Sequence, residues 1–87
     1  MSDIFVAPPL ATKNGSMILG KNSDREPNEA QTILRIPAKV HKASLAHTTF
    51  TTVPQVAKTY EMILCKPFNI WGAEMGVNEH QLAVANT

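Results

Sequence analysis

The sequence predicts a strand-dominated, mostly antiparallel chain. Its apolar runs are short and closed by proline or glycine, turn-forming polar stretches separate them, and no segment keeps a helical apolar period over three turns. The first run, Ile4 to Ala7, stops at Pro8-Pro9, and Met17 to Leu19 follows after Lys13-Asn14-Gly15-Ser16. Asn-Gly takes up the positive φ angles of a tight type I′ turn, so these two runs read as a hairpin.

The second strand ends at Gly20, and residues 21 to 29 are polar apart from Pro27, which predicts a loop. Thr32 to Ile36, stopped by Pro37, reads as a third strand. Leu45 to Val53 mixes Thr48, Thr49, Thr51 and Thr52 with Phe50, a β-branched and aromatic set that favours extended backbone. One helical turn is expected at Gln55 to Lys58 after Pro54, then a strand from Thr59 to Cys65 before Lys66-Pro67. Residues 68 to 76 show no period, and Leu82 to Ala85 forms a last apolar strand. An apolar strand at that position leaves an open edge, which complete domains usually blunt with charge or a covering element. The expectation is that the chain continues beyond Thr87, or that it associates as a homo-oligomer.

Bulk properties narrow the function. The 87 residues are 44% hydrophobic and 17% charged, within the ordinary globular range. A chain of this length supports one modest core. Eight basic and seven acidic residues leave a formal charge of +1, with no basic footprint for nucleic acid or for an anionic membrane surface. No apolar run approaches the roughly 20 residues that span a bilayer. Asp3 and Pro8-Pro9 are unlike a signal peptide, so the expected location is cytoplasmic. Cys65 is the single cysteine, and its flank Met62-Ile63-Leu64 favours a buried structural thiol. His41, His47 and His80 lack metal-ligand spacing, so neither a metal nor a cofactor is implied.

Three blocks carry a family resemblance: Ser2-Asp3-Ile4-Phe5-Val6-Ala7, Gly20-Lys21-Asn22-Ser23-Asp24-Arg25, and Trp71-Gly72-Ala73-Glu74-Met75-Gly76-Val77-Asn78-Glu79-His80. Their order and spacing resemble the start of the secernin-type dipeptidases, members of the N-terminal-nucleophile hydrolase superfamily. The segment Asn28-Glu29-Ala30-Gln31 fits the same register, so the resemblance covers essentially the whole chain.

That resemblance implies an α+β class: a four-layer αββα fold of which residues 1–87 form the strand-rich N-terminal portion of a single hydrolase domain. It also implies a small peptide or related amide as substrate, attacked by the first residue of the mature chain. The family has cysteine at that place where this chain has Ser2. Removal of Met1 would free the Ser2 amine, and an α-amine, titrating ordinarily at about 7.7 to 8.0, can accept the proton of its own side chain as that side chain attacks a carbonyl.

By the same resemblance Lys21 and Asp24 flank the nucleophile. Asp24 would orient the amine, and Lys21 would lend positive potential near the oxyanion. Asn22 and Arg25 would shape the loop and the substrate end. Asn86 is the implied oxyanion-hole residue. Asn78 and Glu79 are expected to build the turn before the last strand, where the family has glycine in the place of Gln81. Trp71, Phe68 and Ile70 are read as core or interface anchors, with a wall of the substrate pocket as the alternative. A non-catalytic relative with only an interaction role is the competing reading.

Overall fold

The computed structural model describes residues 1–87 and contains ten strands, one three-residue 3-10 turn at Pro9–Ala11, and no α-helix. The α+β expectation is therefore corrected: nothing in this chain forms a helical layer, and its strands pair antiparallel throughout. The physical reason lies in the apolar patterning of the chain. No segment carries an apolar stripe long enough to hold a helix by tertiary packing, and short helices are marginal without one. No helix is long and apolar enough to cross a membrane.

Strand β1 (Asp3–Ala7) pairs with β2 (Ile18–Asn22) in the register Ile4↔Lys21, Phe5↔Gly20 and Val6↔Leu19. The hairpin is as expected but its connection is not a tight turn. Pro8-Pro9 leads into the 3-10 turn, and the Asn14 carboxamide oxygen accepts hydrogen bonds from both the Ser16 amide (3.2 Å) and its hydroxyl (2.7 Å). Only Gly15 takes positive φ (+74°), so an Asx turn replaces the type I′ geometry. Strand β2 also runs past Gly20 to Asn22, which puts Lys21 on a strand instead of in a loop. Gly20 is required by close approach: the Phe5 ring lies where a Cβ would stand.

Strands β3 (Gln31–Ile36) and β8 (Met62–Pro67) are the bases of one long ribbon. Their register, Gln31↔Pro67 to Ile36↔Met62, continues unshifted into β4 (Lys39–Val40) and β7 (Lys58–Thr59). It shifts by one residue before β5 (Leu45–His47) and β6 (Thr52–Pro54), where Leu45 faces Pro54. The His41 amide donates to Ala57 O at 2.8 Å and the Gln55 amide to Ser44 O at 3.0 Å, so Lys42 and Ala43 together oppose Val56. That is a β-bulge, which bends and twists a ribbon. The bend lets the tip at Thr48–Thr51 fold back, and the Trp71 amide donates to Thr49 Oγ1 at 2.6 Å. The single strand expected over 45–53 is thus two strands around a turn, and the helical turn expected at 55–58 is extended.

Strand β9 (Met75–Asn78) adds to β8, and β10 (Ala83–Ala85) adds to β9, which gives a four-stranded sheet in the order β10-β9-β8-β3. The β9–β10 turn is built by Asn78, whose side-chain oxygen accepts from the His80 and Leu82 amides at 3.0 and 3.1 Å. Gln81 holds φ +65° there, the left-handed region that side chains rarely adopt.

Little of this is closed by a core. No hydrophobic residue is fully buried, and only Pro67 and Glu74 are. The accessible surface is 6908 Å², against roughly 5,000 Å² for a compact monomer of this mass. The radius of gyration is 15.1 Å, against about 12 Å expected for the length.

The positive φ of Gln81 yields a prediction. Gln81→Gly should leave stability within about 1 kcal/mol of the parent, whereas Gln81→Val should lower it by about 1 to 2 kcal/mol, because a β-branched side chain is strained at that angle. Urea unfolding followed by circular dichroism reads the difference, and equal stability of the two variants contradicts the assigned turn.

Candidate functional site

The site grows from a single carboxylate. Glu74 stands just before β9, its amide donates to Cys65 O at 2.8 Å, and its carbonyl accepts from the Asn86 amide at 3.1 Å. Those two ladder bonds fix the side chain at the end of the sheet. The residue is 7% exposed, so its charge has left water and requires cations nearby.

It has two. Glu74 Oε2 lies 3.3 Å from Lys21 Nζ, and Oε1 accepts from Arg25 Nη1 at 2.7 Å. The Lys21 side chain is 1% exposed, and its ammonium also donates to the Asn86 carbonyl. Arg25 binds Glu29 through Nε as well. The hydrogen bond to Glu29 raises the Arg25 guanidinium above its ordinary value, and the charges of Glu29 and Glu74 reinforce this against the cost of desolvation. A guanidinium keeps its charge in proteins whatever its surroundings, so Arg25 is a permanent cation.

Above this network lies a cleft of about 600 Å³ lined by Ser2, Asp24, Arg25, Trp71, Glu74 and Asn86 among others. The chain start reaches it directly, as the Met1 ammonium stands 3.4 Å from Asp24 O and 3.7 Å from Asp24 Oδ2. Both partners are exposed, so this pair contributes little to stability. Ser2, one residue further in, is half-buried. The Asn86 amide nitrogen donates to Ala73 O at 3.1 Å.

Three of the four expected site residues, Ser2, Asp24 and Asn86, share the cleft wall. Lys21 does not line it; the residue sits beneath, held by Glu74 and the Asn86 backbone. Its influence on the cleft runs through those groups. Trp71 and Ile70 line the cleft, and Phe68 is exposed outside it, so none of the three is a core anchor. His41 bonds Thr59 Oγ1 at 2.9 Å and His80 packs edge-on against Tyr60, each away from the cleft.

Sequence reasoning missed Glu74 as the organising residue. The signal was present: it is the one acid inside the otherwise apolar and small Trp71-to-Val77 block, and an ionisable residue withdrawn among apolar neighbours needs a partner.

No family model matches the chain, and no solved structure matches it. Neither comparison supports the resemblance to secernin-type dipeptidases, which rests on the three sequence blocks alone.

Removing the carboxylate alone isolates a lysine with no access to water. Glu74→Ala should therefore cost about 3 kcal/mol or unfold the chain outright. Replacing both partners, Lys21→Met with Glu74→Leu, should recover to within about 1 to 2 kcal/mol of the parent, since an apolar pair leaves no orphaned charge. Urea titration of the single and double variants measures both. A single variant as stable as the parent rules out the buried pair.

Proposed function

We propose that this chain carries the nucleophile of a dipeptidase-like hydrolase that cleaves a peptide or related amide bond in the cytoplasm. The observation that carries the reading is convergence: Ser2, Asp24 and Asn86, drawn from the two ends and the β2–β3 connection, line one cleft. The reading rests on that cleft and the sequence blocks, and takes nothing from a layered fold.

The chemistry begins with loss of Met1, which transfers the free amine to Ser2. The neutral amine accepts the proton of Ser2 Oγ as the oxygen bonds to the substrate carbonyl carbon. The amide side chain of Asn86 has a second N–H beyond the one given to Ala73, and that donor would serve the developing oxyanion. Collapse of the tetrahedral species breaks the C–N bond, and the protonated amine returns its proton to the leaving nitrogen. Water then repeats the sequence on the ester. Asp24, which pairs with the Met1 ammonium while Met1 is present, would orient the Ser2 amine once Met1 is lost. Arg25 offers its unshared Nη2 toward a substrate carboxylate.

A second reading, a non-catalytic relative, is favoured by two observations. The Lys21 ammonium is consumed by Glu74 and Asn86, and a serine hydroxyl ionises far less readily than the family's thiol.

Intact-mass spectrometry should find Met1 absent, and turnover of unblocked dipeptides should fall to background in Ser2→Ala. Ser2→Cys should raise turnover several-fold. Asp24→Asn should lower it roughly tenfold or more, the effect of losing a charged hydrogen bond worth about 1.5 kcal/mol. Turnover untouched by Ser2→Ala refutes the nucleophile assignment. Activity that arises only with Ser2→Cys selects the non-catalytic reading.

A further inference from the structure

The outer edge of β3 is the longest unpaired edge in the molecule. The Phe68 amide donates to Ala30 O at 3.0 Å, and in the β3–β8 register the even-numbered residues of β3 turn their backbone groups toward β8. Gln31, Ile33 and Arg35 therefore direct their N–H and C=O groups outward, where no strand receives them. Nothing blunts this edge: Ile33 is 78% exposed, no proline or bulge falls between Gln31 and Ile36, and the sole charge, Arg35, reaches back to Glu61 on its own chain at 2.7 Å.

The sheet behind that edge is also short of cover. Strand β8 carries Met62, Ile63, Leu64 and Cys65 in succession, so apolar side chains stand on both faces, the pattern of a strand made to be enclosed. The chain's 6908 Å² exceeds the compact-monomer surface by roughly 1,900 Å². A stable dimer removes about 800 Å² per partner, so a second copy can be accommodated more than once over by surface the fold leaves open.

We infer that two copies of this chain pair through β3, antiparallel about a two-fold axis at Ile33, to make a continuous eight-stranded sheet. A second copy satisfies this edge on its own terms. With the axis on Ile33, residues 30 to 36 run against 36 to 30 of the second copy, and the outward groups of Gln31, Ile33 and Arg35 each find a donor and an acceptor. Pro37 stays outside the ladder. Ile33 meets Ile33 of the second copy, an apolar cross-strand pair, and Arg35 stands beside Gln31 instead of a second arginine. The formal charge of +1 sets up no long-range repulsion between copies.

Sedimentation equilibrium of the whole chain tests this, with amide exchange as a second readout. The mass should tend to twice 9.5 kDa with rising concentration. The Ile33 and Arg35 amides, which have no partner within the chain, should gain protection over the same range. Two variants keep the test independent of folding. Ile33→Pro removes only an outward N–H and spares the β8 ladder, and Ile33→Lys sets two ammonium groups across the axis at a position that is exposed in the monomer. Each should retain the β-type circular dichroism spectrum and weaken dimerisation at least about tenfold. The inference is overturned by a monomer at every concentration, or by association that both variants leave undiminished. An open-ended series of oligomers with unprotected Ile33 and Arg35 amides also overturns it, because it places the contact on the sheet faces.

Discussion

A carboxylate withdrawn from water must be met by positive charge, and the position of Glu74 forces that meeting across the molecule. The β1–β2 hairpin shares no strand ladder with the four-stranded sheet. What joins them is Lys21 and Arg25 reaching Glu74, with Lys21 also on the Asn86 carbonyl. Two adjacent oxygens on one carboxylate hold two cations that sit four residues apart on the strand and the loop that follows it. The chain start, the loop after β2 and the end of β10 are therefore set around one cleft by the charge balance of a single side chain.

The rest of the architecture is a ribbon problem. One antiparallel pairing runs from Gln31↔Pro67 outward, keeps its register through Lys39↔Thr59, and slips by one residue at the bulge opposite Val56. A bulge raises the local twist, and the twist returns the Thr48–Thr51 tip to the Trp71 amide beside the cleft. A straight ribbon would leave that tip far from the site. The returned tip thus holds the backbone of Trp71, a residue of the cleft wall.

The candidate site was legible in part. Ser2, Asp24 and Asn86 were picked out by motif and they do share a cleft, whereas Lys21, placed in a loop by the polar run after Gly20, lies on β2 beneath it. The error has a physical source. A polar run reads as a solvated loop unless something buries it, and what holds Lys21 out of water is an acid 53 positions further along the chain, which no local pattern reveals. The four-layer fold failed for the opposite reason: it came from the resemblance, while the chain's own patterning held no helix of three turns, and even the single helical turn expected at 55–58 is extended.

What the sequence determined by itself was local. Proline and glycine positions bounded the strands, alternation and β-branching made them extended, and Asn78 with its acceptor side chain built the β9–β10 turn even though Gln81 had to take a left-handed conformation to complete it. The tertiary structure decided everything that depends on long-range pairing: which strands are neighbours, where the ribbon slips register, which edge stays open, and which of the balanced charges become partners. Backbone preferences act over a few residues and so can be read along the chain. The pairing of Glu74 with Lys21 and Arg25 follows from desolvation, a property of where a side chain ends up once the strands have met.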